Sequence, residues 1–486
     1  MPTRVIAALP GLKEMFDPAL APLIALVTVV AAAHAAAAEV DRPNVVLILA
    51  DDLGYGDLGC YGHPKFRTPH LDRLASQGAR FTQFNTPAPF CAPTRASLLT
   101  GMYPVHCGLT MNPTPDGRPA ADALALAADQ VLLPAYLKRA GYSTAMIGKW
   151  HLGHRHVEQW PISRGFDEYL GILYSNDMRP VQLVDGRQVV EYPLVQATLT
   201  ERYTKRALEF IERRRQQPFF LYIAHAMPHK PLACSEKFYK QSGAGLYGDA
   251  LAELDDSVGQ VLAKLVDVGI DDRTMVIFTS DNGPWCGGSS GGLRGMKGTS
   301  WEGGFRVPCL VRWPGKVAAG RVVDEPAVMM DLFETVWEGA GLTEQRARAT
   351  DGRSLWPWLA VNASAETPPL HEFILGQHGG QLATIRDRRW KLHVVAQDDP
   401  PVHSPGERWI DPRGPDGVTI LAPYEQATRD QYPGLRTGDA TPAMSLFDLT
   451  SDPAEQHNVA AQHPDEVSRL KALFDRASRE LARVER

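Results

Sequence analysis

Asn44-Val45-Val46-Leu47-Ile48-Leu49-Ala50 is an uninterrupted apolar run, β-branched near its start, that stops on the two carboxylates Asp51-Asp52. A strand with one wet face alternates apolar and polar residues. This one does not alternate, which predicts a strand covered on both faces, as in a parallel sheet. Thr274-Met275-Val276-Ile277-Phe278-Thr279-Ser280 repeats the pattern and ends in Asp281-Asn282-Gly283, while Phe219-Phe220-Leu221-Tyr222-Ile223-Ala224 leads toward His225 and His229. Helical patterns lie between them: Leu132 to Ala140, stopped by Gly141, and Asp249 to Val268, stopped by Gly269. Strands alternating with helices predict an α/β fold, a large mainly parallel β-sheet sandwiched by helices. In such sheets ligands gather beyond the carboxyl ends of the strands, where all three runs deliver polar residues.

Outward from these strands, the texture changes near residue 366. Ala383 to Leu392 resembles a two-sided strand, Asp398 to Gly438 is rich in Pro, Gly and charge and reads as an ordered loop excursion, and Pro464 to Val484 has helical spacing. The expected division is a larger domain over 41–365 and a smaller C-terminal α+β subdomain over 366–486. Residues 1–38 contain the alanine-rich run Ala19 to Ala38, with Arg4 and Lys13 upstream, which reads as a secretory signal peptide with translation starting at Met1 or Met15. An uncleaved membrane anchor is the alternative, since the run approaches the roughly 20 apolar residues that span a bilayer. No second such run follows, so export after cleavage is expected, to a periplasm, the exterior or a lysosome-like lumen.

The chain has 486 residues, 44% of them hydrophobic, and a formal net charge of −6 with no basic stripe, which excludes nucleic acid as the expected partner. Its cysteines, Cys60, Cys91, Cys107, Cys234, Cys286 and Cys309, form neither a CxxC pair nor a zinc spacing. Asn362-Ala363-Ser364 fits a glycosylation acceptor.

One cysteine stands in a distinctive setting: Cys91-Ala92-Pro93-Thr94-Arg95-Ala96-Ser97-Leu98-Leu99-Thr100-Gly101. Pro93 suits a first helical turn because its missing N–H would be unpaired there, and Gly101 stops the helix. Cys91 is therefore expected at a helix N-terminus, where free N–H groups and the macrodipole favour an anion, with Arg95 one turn on as a planar donor fork. Asp51, Asp52, Asp281 and Asn282 offer only oxygen ligands, a set that suits Ca²⁺ or Mg²⁺ rather than zinc.

The order of Asp51 to Gly62, the Cys91 segment, Gly148-Lys149-Trp150-His151-Leu152-Gly153, Pro228-His229-Lys230-Pro231, Ser280-Asp281-Asn282-Gly283, Lys297 to Gly304 and Leu446 to Pro453 resembles that of the sulfatases. The likeness runs from Pro43 to Asn458, its variety is similar to the arylsulfatase A and N-acetylgalactosamine-6-sulfatase type, and the superfamily it implies is that of alkaline phosphatase. It implies that Cys91 is oxidised by a formylglycine-generating enzyme to formylglycine, whose hydrate attacks the sulfur of an aryl or carbohydrate sulfate monoester and forms a covalent sulfo-enzyme. It further implies one Ca²⁺, with Mg²⁺ as the alternative, on Asp51, Asp52, Cys91, Asp281 and Asn282. Arg95, Lys149, His151, His229 and Lys297 match the polar pocket around the sulfate, and Ser175 matches a serine that hydrogen-bonds it. In that scheme His229, helped by Lys297, protonates the leaving alcohol, and His151 removes the proton from the remaining hydroxyl. Lys149 and His151 alternate with Trp150, which predicts that both lie on one side of an extended segment.

Two other functions compete. A phosphate or phosphonate monoester hydrolase of the same superfamily would act on a similarly shaped group, although a two-zinc phosphatase needs more His and Asp ligands than this set holds. A protein that binds sulfated glycans, silent because Cys91 stays unmodified, is the non-enzymatic reading.

Overall fold

The computed structural model describes residues 42–398, apart from 116, 286 and 365, and residues 437–484. The expected signal segment, its two candidate starts and most of the proline-rich excursion lie outside the described residues. Ten strands form one sheet: β1 (Asn44–Ala50), β2 (Ala79–Phe81), β4 (Ser143–Lys149), β5 (Glu168–Ile172), β6 (Leu183–Asp185), β7 (Gln188–Glu191), β8 (Phe219–Ala224), β9 (Thr274–Ser280), β10 (Cys309–Arg312) and β11 (Arg321–Val323). Two short strands, β3 (Phe84–Asn85) and β12 (Ala327–Val328), pair with each other. The large sheet runs β11-β2-β10-β9-β1-β8-β4-β5-β6-β7. Its centre, β9-β1-β8-β4-β5, is parallel throughout.

The three runs read from the sequence are the adjacent strands β9, β1 and β8. Their continuous apolar character has a direct cause. Val45, Leu47 and Leu49 enter the core on one side of the sheet, while Val46, Ile48 and Ala50 enter the core on the other. One core packs beneath the helices Cys91–Thr100, Leu133–Arg139 and Asp331–Gly339, and the other beneath Leu199–Arg214 and Gly245–Asp267. Each fully buried Leu, Ile or Phe contributes about 1.5–3 kcal/mol, so both helical layers are held chiefly by these strand residues.

The second helical pattern is longer than read, beginning at Gly245 rather than Asp249. A larger difference concerns Ala383 to Leu392, which is a hairpin and not one strand. β14 (Gln381–Arg386) turns at Asp387–Arg389 into β15 (Trp390–His393), and together with β13 (Ile374–His378) and β16 (Ser445–Asp448) they form a four-stranded antiparallel sheet. Asp387 Oδ1 accepts the N–H groups of Arg389 and Trp390 at 2.8 and 2.7 Å, and this side-chain turn reverses the chain. The helix Pro464–Val484 packs on this sheet. The described residues from Pro43 onward form one compact unit, and among the described residues no helix is long and apolar enough to cross a membrane.

Gly148 is required where β4 meets β8. Its φ is +116°, and a Cβ there would lie 1.8 Å from the carbonyl oxygen of Ala224. Gly148→Ala is therefore expected to lose about 3 kcal/mol of stability or more, from a disfavoured φ plus overpacking. A urea midpoint equal to that of the parent would contradict this.

Candidate active site

Cys91 is the first residue of the helix Cys91–Thr100, which Gly101 closes in the left-handed region at φ 74°. No N-cap side chain serves this helix; Asn112 Oδ1 instead accepts the N–H of Ala92 at 3.0 Å. Asp51-Asp52 and Asp281-Asn282 leave the adjacent strands β1 and β9, whose register aligns Ala50 with Ser280, so the four residues arrive side by side. All four are buried, as are Cys91 and Arg95.

Three cations interleave with three carboxylates. Arg95 holds Asp281 Oδ2 through Nε at 2.9 Å and Nη2 at 2.8 Å, and its Nη1 donates to the carbonyl of Lys149 at 2.7 Å. Lys149 Nζ lies 2.5 Å from Asp51 Oδ2 and 3.1 Å from Ser175 Oγ. Lys297 Nζ lies 2.7 Å from Asp52 Oδ1 and 3.4 Å from Cys91 Sγ. Burial alone would raise the pKa of Asp51, but Lys149, His229 and Arg95 hold it well below the usual carboxylate range. For Asp281, burial and the neighbouring Asp51 outweigh Arg95 and push the pKa up to about 6.

The donor atoms of Asp51, Asp52, Cys91 and His229 lie within 4.8 Å of one another, a spacing that could hold a metal ion. This grouping differs from the expected ligand set. His229 joins it, whereas Asp281 spends Oδ2 on Arg95 and accepts the N–H of Asp52 on Oδ1 at 3.2 Å. Asn282 donates Nδ2 to Asp52 Oδ1 at 2.7 Å, leaving its Oδ1 buried without a hydrogen-bond partner. A buried amide oxygen with no donor is costly unless a cation faces it, so the residues fit a hard divalent ion.

The two histidines are oriented differently. His151 lies beyond the end of β4 in the left-handed region, φ 64°, so the expected extended alternation with Lys149 stops at Trp150. Its Nε2 is 3.0 Å from the carbonyl of Pro113, which can only accept, so Nε2 carries the hydrogen and Nδ1, buried and unpartnered, keeps its lone pair. Burial, with Lys149 and Arg95, pushes the His151 pKa well below its ordinary value, so the ring is neutral. His229 donates Nδ1–H toward Asn176 Oδ1 at 2.9 Å and the carbonyl of Lys230 at 2.5 Å. Its Nε2 faces Ser175 Oγ at 3.4 Å and Asp52 Oδ2 at 3.6 Å. Burial and Lys297 lower its pKa, against the pull of Asp52 and Asp51.

Asp51, Asp52, Cys91, Arg95, Lys149, Ser175, His229, Asp281, Asn282 and Lys297 are thus linked in one hydrogen-bonded and ion-paired cluster, and His151 lies among their charges. Sequence reasoning missed the groups that orient it. Asn176 is fixed by Gln196 Oε1 at 3.1 Å and turns its own oxygen to His229, while Asn112 and the Pro113 carbonyl hold the helix start and His151. Asn176 directly follows Ser175, but its bond to His229 spans 53 residues of chain, and a backbone carbonyl leaves no trace in residue types. His154 and His225 have other partners, Asp122 at 2.8 Å and Ser257 at 3.4 Å.

The sequence and the fold are similar to those of known sulfatases. A family model described as Sulfatase matches residues 43–342. Human N-acetylgalactosamine-6-sulfatase is 41% identical over 376 residues, covering 70% of this chain and 72% of that protein. Human arylsulfatase A is 36% identical over 472 residues, covering 89% and 87%. A solved Bacteroides thetaiotaomicron structure, described under the metabolism of multiple glycosaminoglycans, superposes with a TM-score of 0.73 at 26% identity, covering 90% of this chain and 99% of that one. With the motifs, the fold and these relatives in agreement, the chain belongs to the sulfatase family and is a sulfuric ester hydrolase.

Proposed function

We propose that residue 91 works as formylglycine, made from Cys91 by a formylglycine-generating enzyme, and that the surrounding side chains hydrolyse a sulfate monoester to alcohol and inorganic sulfate. The observation that carries this reading is the setting of residue 91: it begins the helix Cys91–Thr100 with its side chain 3.5 Å from Asp51 Oδ1 and 3.4 Å from Lys297 Nζ, at the point where the carboxylates and cations of the cluster converge. The hydrated aldehyde supplies a geminal diol, with one hydroxyl to take the sulfuryl group and a second through which sulfate can leave.

Asp51, Asp52, Asp281 and Asn282, with the diol oxygen of residue 91, are the proposed holders of a divalent ion, Ca²⁺ before Mg²⁺. Such an ion would draw charge from the ester oxygens and acidify the diol. Arg95, Lys149 and Lys297 are proposed to bind the anionic sulfuryl group from fixed positions, so that little reorganisation accompanies the reaction. Ser175, between Lys149 and His229, adds a hydroxyl donor to a sulfate oxygen. His229, protonated on both ring nitrogens once the anionic ester is bound beside it, is proposed to deliver the Nε2 proton to the leaving oxygen and keep the Nδ1 hydrogen on Asn176 and the Lys230 carbonyl, with Lys297 stabilising the developing alkoxide. The unprotonated Nδ1 of His151 is the proposed base for the second hydroxyl; its neutral ring and single outward hydrogen bond support that role.

The relatives named N-acetylgalactosamine-6-sulfatase favour a sulfated sugar as substrate, with small aryl sulfates as surrogates. We further propose export after cleavage of residues 1–38, and a C-terminal subdomain over 366–486 that contains the four-stranded antiparallel sheet. Turnover of nitrophenyl sulfate against nitrophenyl phosphate, followed by sulfate release from a panel of sulfated mono- and disaccharides, tests the reaction. Faster hydrolysis of the sulfate is expected; faster hydrolysis of the phosphate would overturn the assignment.

A further inference from the structure

Lys297 sits in a stretch without regular secondary structure, yet its ammonium must hold both Asp52 and residue 91. The stretch folds tightly on itself. Gly303 N–H donates to Arg294 O at 2.7 Å, and a Cβ on Gly304 would lie 2.1 Å from Thr299 O, so the two ends of the loop meet backbone to backbone. Both ends are held by one buried residue outside the loop, Glu455. At the start, Arg294 Nη1 donates to the Glu455 carbonyl at 3.1 Å and to that of Asp439 at 2.8 Å. At the end, the N–H of Glu302 donates to the Glu455 carboxylate. That carboxylate is itself fixed by His393 Nε2 at 2.7 Å and Lys391 Nζ at 3.2 Å, both on β15. Lys391 also reaches Glu302 Oε1 at 3.1 Å, and Arg306 and Arg386 complete the surroundings of Glu302 at 2.6 and 2.9 Å.

Glu455 adopts φ +53°, a region costly for a residue with a Cβ, and it is fully buried. Strain of this kind persists only where the surroundings over-determine it. Two further hydrogen bonds run from the loop to the segments flanking the C-terminal sheet: Ser300 N–H to Gln397 Oε1 at 2.6 Å and Trp301 Nε1 to Thr441 Oγ1 at 3.1 Å.

We infer that Glu455 is a positioning residue for Lys297: by closing both ends of the Arg294–Glu302 loop against the C-terminal sheet, it sets the ammonium between Asp52 and residue 91. The inference rests on the proposed role of Lys297 in the reaction. It also assigns the C-terminal sheet, through His393 and Lys391 of β15, a part in positioning Lys297.

A double-mutant cycle tests it, with kcat measured for the parent, Glu455→Gln, Lys297→Ala and the double variant, each divided by the fraction of residue 91 converted to aldehyde. Glu455→Gln alone is expected to lower kcat roughly 10- to 100-fold, the loss that follows a misplacement of about 1 Å. KM for nitrophenyl sulfate is expected to change much less. In the Lys297→Ala background the same substitution is expected to lower kcat by less than about twofold, because the group it positions is already gone. Equal fold-losses in both backgrounds, or no loss in the first, would overturn the inference. Should Glu455→Gln fail to fold, Arg294→Met opens the other end of the loop while leaving Glu455, Lys391 and Glu302 in place, and the same non-additivity is expected. A Lys297→Ala enzyme that turns over like its parent would remove the reading of the site itself, and the inference with it.

Discussion

Cys91→Ser is expected to end repeated turnover while leaving the fold intact. Serine fits the space of the thiol at the start of the helix Cys91–Thr100, within reach of Lys297 and Asp51, so stability within about 1 kcal/mol of the parent is anticipated. Its single hydroxyl can attack the sulfur and displace the alcohol. What it lacks is a second oxygen on the same carbon, through which sulfate would be expelled as the carbonyl reforms. The variant should therefore release at most one equivalent of alcohol and keep the sulfuryl group on residue 91. A steady-state rate lower by roughly 10³-fold or more is expected, on the scale seen when a nucleophile is removed. Rapid-quench measurement of alcohol release, with the mass of the residue-91 peptide, distinguishes this from simple inactivation. Multiple turnovers at the parental rate would refute the need for a diol.

Removal of Asp51 should produce the next largest effect, on stability and on ion binding together. Its carboxylate is fully buried, accepts Lys149 at 2.5 Å, and has Arg95 at 3.5 Å. Asp51→Ala leaves two buried cations with one counter-charge fewer, a change of about 3–5 kcal/mol when one partner of a buried pair is lost. Denaturant titration should show that loss. The parent should also be stabilised by added Ca²⁺, by about 2.7 kcal/mol at a hundred times its Kd, whereas the variant should show no such dependence. Equal stabilisation of both proteins by Ca²⁺ would remove Asp51 from the ligand set.

How much of this was legible in the sequence depended on whether a residue's role is written in its own neighbourhood. β1, β8 and β9 were readable because strands buried on both faces carry apolar residues at every position, and their polar successors then had to fall at one sheet edge. The helix at Cys91 was readable from Pro93 and Gly101. The hairpin within Ala383–Leu392 was not, because its turn depends on Asp387 bonding two N–H groups in a segment that is otherwise strand-like. His151 was placed in the right motif with the wrong backbone, since a left-handed residue after a strand has no signature when it is not glycine. Asn176, the Pro113 carbonyl and Glu455 act across 53, 38 and 153 residues of chain respectively, and only the folded molecule brings them to His229, His151 and Glu302.

The central claim is that the active group at position 91 is an aldehyde and not the encoded thiol. Mass spectrometry of the peptide containing residue 91, from enzyme of measured specific activity, tests it most directly. The account requires a peptide lighter by the difference between CH₂SH and CHO, in a fraction that rises in proportion to activity. Full activity in a preparation whose residue 91 is entirely unmodified cysteine would contradict it.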